Sequence, residues 1–284
     1  MIPAAFDYHR PSDVSSVISL LQTHGDEARV IAGGHSLIPM MKLRMAHVAH
    51  LIDLQDVAGL GGISVDNGRV VIGAMVTQHE LINDSALAAS VPLLREAALE
   101  IADPQVRYVG TVGGNLANGD PGNDMPGIMQ CLGATLTLVG PDGERQVAAR
   151  DYYEAAYMTA RADDEVLTAV SFDAPSGGAA YVKQKRKIGD YATAAAAVQL
   201  SKEGGVVAAA SIAMTNLSDV PVWSEAAGAA LTGSACDANA VKAACDAMLS
   251  DIDPVETNHG PVEFKRHAAA TVLSRAIARA WQRA

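Results

Sequence analysis

Apolar residues in the first third of the chain recur with the spacing of a helix and then gather in short runs. The helical spacing begins after Pro11-Ser12, which predicts Ser12 as the N-cap, and Gly25 predicts the stop. Two apolar runs, residues 28–32 and 50–54, predict strands, so this third predicts a small α/β unit. The helical stripe consists of Val14, Val17, Ile18 and Leu21.

From about residue 60 the pattern changes to hairpins. Asn67-Gly68 separates two apolar runs and is a strong hairpin signal, and Pro141-Asp142-Gly143 follows the apolar run 136–139. Between the two hairpins, residues 77–102 carry helical spacing.

Beyond the Pro/Gly cluster at 175–178, the pattern predicts a separate C-terminal unit. Strand-like runs at 179–184, 193–200 and 206–215 precede two predicted helices, and the last of these, 264–283, has one apolar face. The chain therefore predicts an α+β fold that ends in an antiparallel sheet with packed helices.

Composition limits what this fold can bind. Apolar residues make up 49% of the chain, charged residues 19% and aromatic residues 4%, which excludes a mainly disordered protein. The net charge of −11 argues against a nucleic-acid-binding surface and against a polybasic membrane anchor. Because aromatic side chains are so few, we expect a large planar ligand to be held by backbone groups and small residues.

Three scattered cysteines, Cys131, Cys236 and Cys245, form no Cys-x-x-Cys pair. They predict neither a disulfide framework nor a zinc or iron–sulfur site. The amino terminus lacks the basic and apolar regions of a signal peptide, and no apolar run reaches the ~18 residues of a membrane span. We therefore expect a cytoplasmic protein without a transmembrane segment.

The first segment that suggests chemistry is 31–37, where Gly33-Gly34 follows a strand directly. Exposed N–H groups in such a turn can hold phosphate oxygens, and the Ser36 hydroxyl can add a hydrogen bond. A plain tight turn is the alternative, since neither a Walker loop nor G-x-G-x-x-G is present.

The second segment, 111–126, is rich in Gly, Asn, Asp and Pro and has no periodicity, so it is predicted to be a binding loop. Its Gly113-Gly114 pair suggests that two such loops clamp a pyrophosphate, with Asp124 accepting hydrogen bonds from sugar or ribityl hydroxyls. A calcium-type loop through Asn118, Asp120 and Asp124 is the alternative, but no bidentate Glu follows it.

The third segment, 183–187, concentrates four of the chain's 21 basic residues. If it is extended, Lys183, Lys185 and Lys187 share one face. They either keep an edge strand solvated or face a phosphate or an acidic partner. Tyr191, one of the few aromatic residues, follows shortly after.

His35 lies inside the first Gly-Gly segment. No defensible Ser–His–Asp order and no second histidine at metal-ligand spacing accompanies it. It is predicted to shape the loop or to touch the ligand without chemistry, and a covalent flavin link is the alternative.

Together and in order, these segments resemble the FAD-binding medium subunits of molybdenum hydroxylases, most of all those of aerobic carbon monoxide dehydrogenases. One departure is Thr-Val-Gly-Gly where Thr-Ile-Gly-Gly is usual, a volume-tolerant change. The resemblance spans the chain and is carried by residues 32–36, 72–74, 101–107, 111–115, 120–124 and 187–192.

The resemblance implies a two-subdomain FAD-binding fold of the PCMH type, residues 1–56 and 57–175, followed by a C-terminal flavoprotein domain, 179–284. It implies that both Gly-Gly loops hold the FAD pyrophosphate through backbone N–H groups and that Tyr191 lies beside the isoalloxazine. Either Lys183 or Lys185 lies near the flavin, and no catalytic or metal-binding residue is implied on this chain. The implied cofactor-binding residues are Ala32, Gly33, Gly34, His35, Ser36, Leu37, Thr111, Gly113, Gly114, Asn115, Asp124, Lys185 and Tyr191.

The resemblance further implies an electron-transfer subunit of an oxidoreductase that oxidises CO with water to CO2. Partners would be an iron–sulfur small subunit with [2Fe-2S] clusters and a large subunit with the molybdopterin cofactor, assembled as a dimer of heterotrimers. The acceptor would be a quinone, met at the inner face of the cell membrane through the assembled complex. The alternatives are a related hydroxylase acting on an aldehyde, a purine or an N-heterocycle, a self-contained FAD-dependent oxidase, and a scaffold that has lost its flavin.

Overall fold

The computed structural model describes residues 1–284 and contains three main sheets with helices packed between and around them. The first sheet is parallel, in the order β1-β3-β2. Its elements are β1 (Asp7–His9), α1 (Val14–His24), β2 (Ala28–Ile31), α2 (Leu37–Lys42) and β3 (His50–Asp53).

Helix α1 begins one residue later than its sequence suggests. Asp13, not Ser12, is the N-cap, because the Asp13 carboxylate accepts the Ser16 N–H at 2.8 Å. Gly25 ends the helix as predicted, with a positive φ of 49°. The prediction of Ser12 as the cap is therefore wrong, and the small α/β unit around it is confirmed.

The second sheet is antiparallel, in the order β4-β5-β10-β6-β7. Asn67 and Gly68, both with positive φ, form the first predicted hairpin, and the second turns at Pro141-Asp142. The strands are β4 (Ile63–Asp66), β5 (Arg69–Gly73), β6 (Thr135–Gly140), β7 (Gly143–Ala148), the short pair β8 (Tyr153–Ala155) and β9 (Met158–Thr159), and β10 (Val166–Asp173).

The helical stretch predicted at 77–102 is three helices in the structure. Asp84 accepts the Leu87 N–H and starts the second, and Pro92 starts the third because its missing N–H is not needed there. The helices between β5 and β6 are α3 (Gln78–Asn83), α4 (Ser85–Ser90), α5 (Pro92–Glu100), α6 (Pro104–Val109), α7 (Val112–Ala117) and α8 (Asp124–Cys131).

The C-terminal part is an antiparallel sheet in the order β11-β12-β13-β14 with three helices, one more than predicted. The predicted last helix is confirmed and begins two residues earlier, at Val262. The elements are β11 (Gly178–Gln184), β12 (Ala194–Glu203), β13 (Val206–Thr215), β14 (Val222–Trp223), α9 (Glu225–Leu231), α10 (Ala238–Asp251) and α11 (Val262–Arg283).

Both faces of this third sheet are buried, which explains the unbroken apolar run in β12. Ala195 and Ala197 belong to the core shared with the second sheet, whereas Ala196 and Val198 belong to the core formed with the C-terminal helices. The α+β fold with a terminal sheet and packed helices is thus confirmed. No helix combines the length and the apolar character needed to cross a membrane.

Candidate functional site

A cavity of about 660 Å³ lies where the turn after β2, the start of α7 and the segments around β10 and β11 meet. This volume is within the range of small-molecule and cofactor sites. Every residue proposed from the sequence to bind cofactor lines it, except Lys185. The lining residues from that set are Ala32, Gly33, Gly34, His35, Ser36, Leu37, Thr111, Gly113, Gly114, Asn115, Asp124 and Tyr191.

The turn after β2 presents free backbone donors to the cavity. None of the N–H groups of residues 33–36 has an acceptor within the chain. Gly34 has a positive φ of 74°, and its carbonyl accepts the Ile38 N–H at 2.9 Å. His35 Nδ1 lies 3.0 Å from the Gly33 carbonyl oxygen, so His35 helps to shape this turn. Successive free N–H groups of this kind suit phosphate oxygens.

The second Gly-Gly pair lies in a helix, so the loop expected at 111–126 is wrong in part. Thr111 is the N-cap of α7, and its Oγ1 accepts the Gly114 N–H at 3.0 Å. The Gly113 N–H donates to the Ala74 carbonyl at 2.8 Å. These donors are therefore used within the chain. Helical periodicity was hidden because α7 has only six residues, two of them glycine.

Glycine is required at both pairs by close packing within the chain. A Cβ on Gly33 would lie 2.3 Å from the Val109 carbonyl oxygen, and one on Gly113 would lie 2.5 Å from Ala74 Cβ. A Cβ on Gly114 would lie 2.8 Å from Thr111 Oγ1 and 3.6 Å from Ala32 Cβ. The two Gly-Gly segments therefore lie directly against each other.

A buried ion pair forms another part of the wall. The Lys183 ammonium lies 2.8 Å from Asp124 Oδ2 and 3.2 Å from the Glu100 carbonyl oxygen, and the Tyr181 hydroxyl donates to Asp124 Oδ1. Burial raises the pKa of Asp124, against the opposing effects of Lys183 and Tyr181. The basic segment is therefore not a uniformly solvated edge, because Lys183 is buried while Lys187 is exposed.

Lys185 lies outside the cavity wall. Its ammonium is 2.5 Å from a Glu100 carboxylate oxygen, and 20% of the side chain is exposed. The structure thus brings Lys183, rather than Lys185, to the cavity. The role predicted for Lys185 in cofactor binding stays a prediction.

Tyr191 lines the cavity on the side of the C-terminal sheet. Its hydroxyl lies 3.3 Å from Asp120 Oδ2, and a Cβ on Gly122 would lie 2.9 Å from its ring. Gly122 therefore leaves room for the ring. Nearly half of Tyr191, 46%, remains exposed, which leaves ring surface for a ligand.

Sequence reasoning missed six polar or aromatic lining residues. Gln78 is 2% exposed, and neither of its amide atoms has a partner; the Asn115 amide oxygen also lacks one. Thr77 and Glu80 form a capping box that locates the start of α3, but this signal does not reveal that Gln78 is buried. The missed residues are Arg29, Gln78, Tyr157, Arg161, Asp163 and Glu165.

Volume, free N–H donors and unpartnered amides together fit a large ligand with phosphate and other polar groups. FAD is such a ligand, and the residues present therefore fit the cofactor implied by the sequence.

Comparisons with known proteins agree with this site. Residues 4–175 match the family model "FAD binding domain in molybdopterin dehydrogenase", and residues 179–280 match "CO dehydrogenase flavoprotein C-terminal domain". The carbon monoxide dehydrogenase medium chain of Afipia carboxidovorans is 52% identical, covering 100% of this chain and 99% of its own length. That of Hydrogenophaga pseudoflava is 42% identical with the same coverage. A crystal structure of a Cu,Mo-CO dehydrogenase contains a chain that matches with a TM-score of 0.98 and full coverage of both chains.

Proposed function

This chain belongs to the family of FAD-binding subunits of molybdenum hydroxylases, and we propose that it is the medium subunit of a CO dehydrogenase. The observation that carries the cofactor role is the cavity lined by the free N–H groups of residues 33–36. Support for CO comes from the 52% identity over the full length to a CO dehydrogenase medium chain.

The residues of the cavity divide the work of holding FAD. The N–H groups of residues 33–36 bind the pyrophosphate, and Thr111 and Asn115 add side-chain hydrogen bonds beside it. The Asp124–Lys183 pair holds the start of α8 against β11 in the cavity wall, and Tyr191 borders the flavin ring. When bound, FAD supplies the redox chemistry, while the chain supplies binding, orientation and electrostatics.

Electrons reach this chain from an iron–sulfur small subunit and leave it to a quinone-type acceptor, and CO is oxidised on a molybdopterin-binding large subunit. None of the three cysteines is paired with another, and Cys131 and Cys245 are buried. This supports the placement of the iron–sulfur clusters on partner subunits. We propose a dimer of heterotrimers that meets its acceptor at the inner face of the membrane.

The domain limits predicted from the sequence remain part of this proposal: 1–56, 57–175 and 179–284. They are supported by the limits of the sheets, since the first ends at Asp53, the second spans residues 63–173 and the third begins at Gly178.

The test is to purify the chain with its co-purifying subunits and add CO without oxygen. We expect noncovalent FAD and CO-dependent bleaching of the flavin absorbance, with an aldehyde, a purine and an N-heterocycle giving none. Bleaching by one of these substrates and not by CO would contradict the choice of substrate. Turnover by this chain alone with oxygen would instead favour a self-contained oxidase, and absence of flavin from the complex would contradict the cofactor role.

A further inference from the structure

Three histidines from different elements converge beside the first sheet. His9 ends β1, His24 ends α1 and His50 begins β3. One ring nitrogen from each lies within 4.8 Å of the other two. They meet because β1 and β3 pair in parallel and because α1 ends just before β2, beside β3. No sequence spacing predicts this cluster, since its members lie on separate elements.

Two distances between these groups are close to those around a tetrahedral metal. His9 Nε2 lies 3.2 Å from His50 Nδ1, and Asp7 Oδ2 lies 3.6 Å from the same His50 nitrogen. Zinc binds imidazole nitrogen at about 2.0–2.1 Å, which places tetrahedral ligands about 3.4 Å apart. The two observed separations bracket that value. The His24 ring stacks on His50 with centroids 3.7 Å apart, and one of its ring nitrogens lies within 4.8 Å of a ring nitrogen of each other histidine.

The surroundings favour a cation at this place. His24 lies at the C-terminal end of α1, where the helix dipole is negative. Asp7 supplies a nearby carboxylate, since its Oδ2 lies 3.6 Å from His50 Nδ1.

We propose that His9, His24 and His50, with Asp7, form a site for a divalent transition metal of the Zn²⁺ class. None of the three histidines lines the flavin cavity, so the site is separate from it. Its role is structural, because a metal there joins β1, α1 and β3. Three nitrogens and one carboxylate oxygen are a donor set that suits zinc.

The test uses the full chain, stripped with a chelator and titrated with Co²⁺ and then with Zn²⁺. We expect one equivalent of Co²⁺ with the intense visible bands of tetrahedral coordination, displaced by Zn²⁺. Losing a residue that only supports a ligand weakens metal binding about 10- to 100-fold. His9→Gln and His24→Gln should therefore each weaken it at least about tenfold, and Zn²⁺ should raise the melting temperature of the unaltered chain more than that of either variant.

His47→Gln is the matched control, because His47 is an exposed histidine outside the cluster. It should bind like the unaltered chain, and circular dichroism checks that each variant is folded. Equal affinity in the cluster variants and the control would overturn the proposal, as would failure of the unaltered chain to retain one equivalent. Binding without tetrahedral bands would overturn the proposed geometry.

Discussion

The Lys183 ammonium lies 2.8 Å from the Asp124 carboxylate, with 1% of the lysine side chain and 5% of the aspartate side chain exposed. This pair links β11 of the C-terminal sheet to the first residue of α8. The chain thus joins two of its units through a charge pair in the wall of the cofactor cavity.

Asp124→Asn should destabilise the protein strongly, because it leaves the Lys183 ammonium buried without a counter-charge. Breaking a buried pair from one side costs about 3–5 kcal/mol of unfolding free energy. Urea unfolding measures this loss, and adding Lys183→Met to Asp124→Asn should recover part of it. Lys185→Met is the control and should cost at most about 1 kcal/mol, since its partner Glu100 is 41% exposed. Equal losses of unfolding free energy in Asp124→Asn and Lys185→Met would contradict the assignment of Asp124 and Lys183 as a buried ion pair.

Gly33→Ala should reduce both FAD content and stability. The added Cβ would lie 2.3 Å from the Val109 carbonyl oxygen, so the turn itself must move. Gly61→Ala is the control, because its Cβ would meet open space. Flavin per chain and thermal unfolding are the measurements. Full flavin content in Gly33→Ala would remove residues 33–36 as the phosphate site.

Tyr191→Ala should change the rate at which the bound flavin is reduced or reoxidised, with little loss of flavin binding. The reason is that the ring borders the cavity, whereas most proposed binding groups lie on the turn after β2 and around α7. Stopped-flow absorbance measures the rates. Tyr191→Phe should keep them, and Tyr108→Ala, at an exposed tyrosine outside the lining, should leave them unchanged. An unchanged rate in Tyr191→Ala would contradict its place beside the ring.

Glu165→Gln should destabilise the fold at neutral pH but not in acid. Hydrogen bonds from the Arg145 guanidinium chiefly lower the pKa of Glu165. A lowered carboxyl pKa stabilises the fold above the unfolded value of about 4.3, and this stability is lost as the pH falls through the folded pKa. With Arg145 44% exposed, we expect about 1 kcal/mol at pH 7, shrinking toward zero below about pH 4.

Urea unfolding of Glu165→Gln and the unaltered chain across this pH range checks the sign. Asp173→Asn serves as the control, because its ion pair with Arg69 is exposed on both sides and should contribute little at any pH. If Glu165→Gln remains less stable than the unaltered chain in acid, the lost stability does not come from the pairing of ionised Glu165 with Arg145.

Local signals in the sequence were enough for much of the fold. Asn67-Gly68 specified its hairpin because both residues adopt positive φ readily, and the apolar stripe of α11 specified a helix. Short helices were harder, since α7 and α8 have too few residues to display a period and contain glycine or proline.

Site features that arise from tertiary contact could not be predicted. Lys183 lies in β11 and Lys185 lies one residue beyond its end, and only Lys183 meets a buried carboxylate. Gln78 follows an ordinary capping residue, and its burial depends on elements distant in the sequence. The Gly-Gly pairs were predicted to allow close approach to a ligand, whereas the close approaches seen at Gly33 and Gly113 are to the chain itself.

The contact between Gly33 and Val109 bears on when the cofactor can be acquired. The turn at 33–36 leaves the ribosome long before the residues it rests against, and Tyr191 on the far wall is made later still. Domains fold largely as units during synthesis. The cavity, however, is lined by segments that belong to or adjoin all three main sheets, so it forms only when these segments are all present. We therefore expect flavin to join the chain only after most of it has been translated, so truncated chains should accumulate without the cofactor.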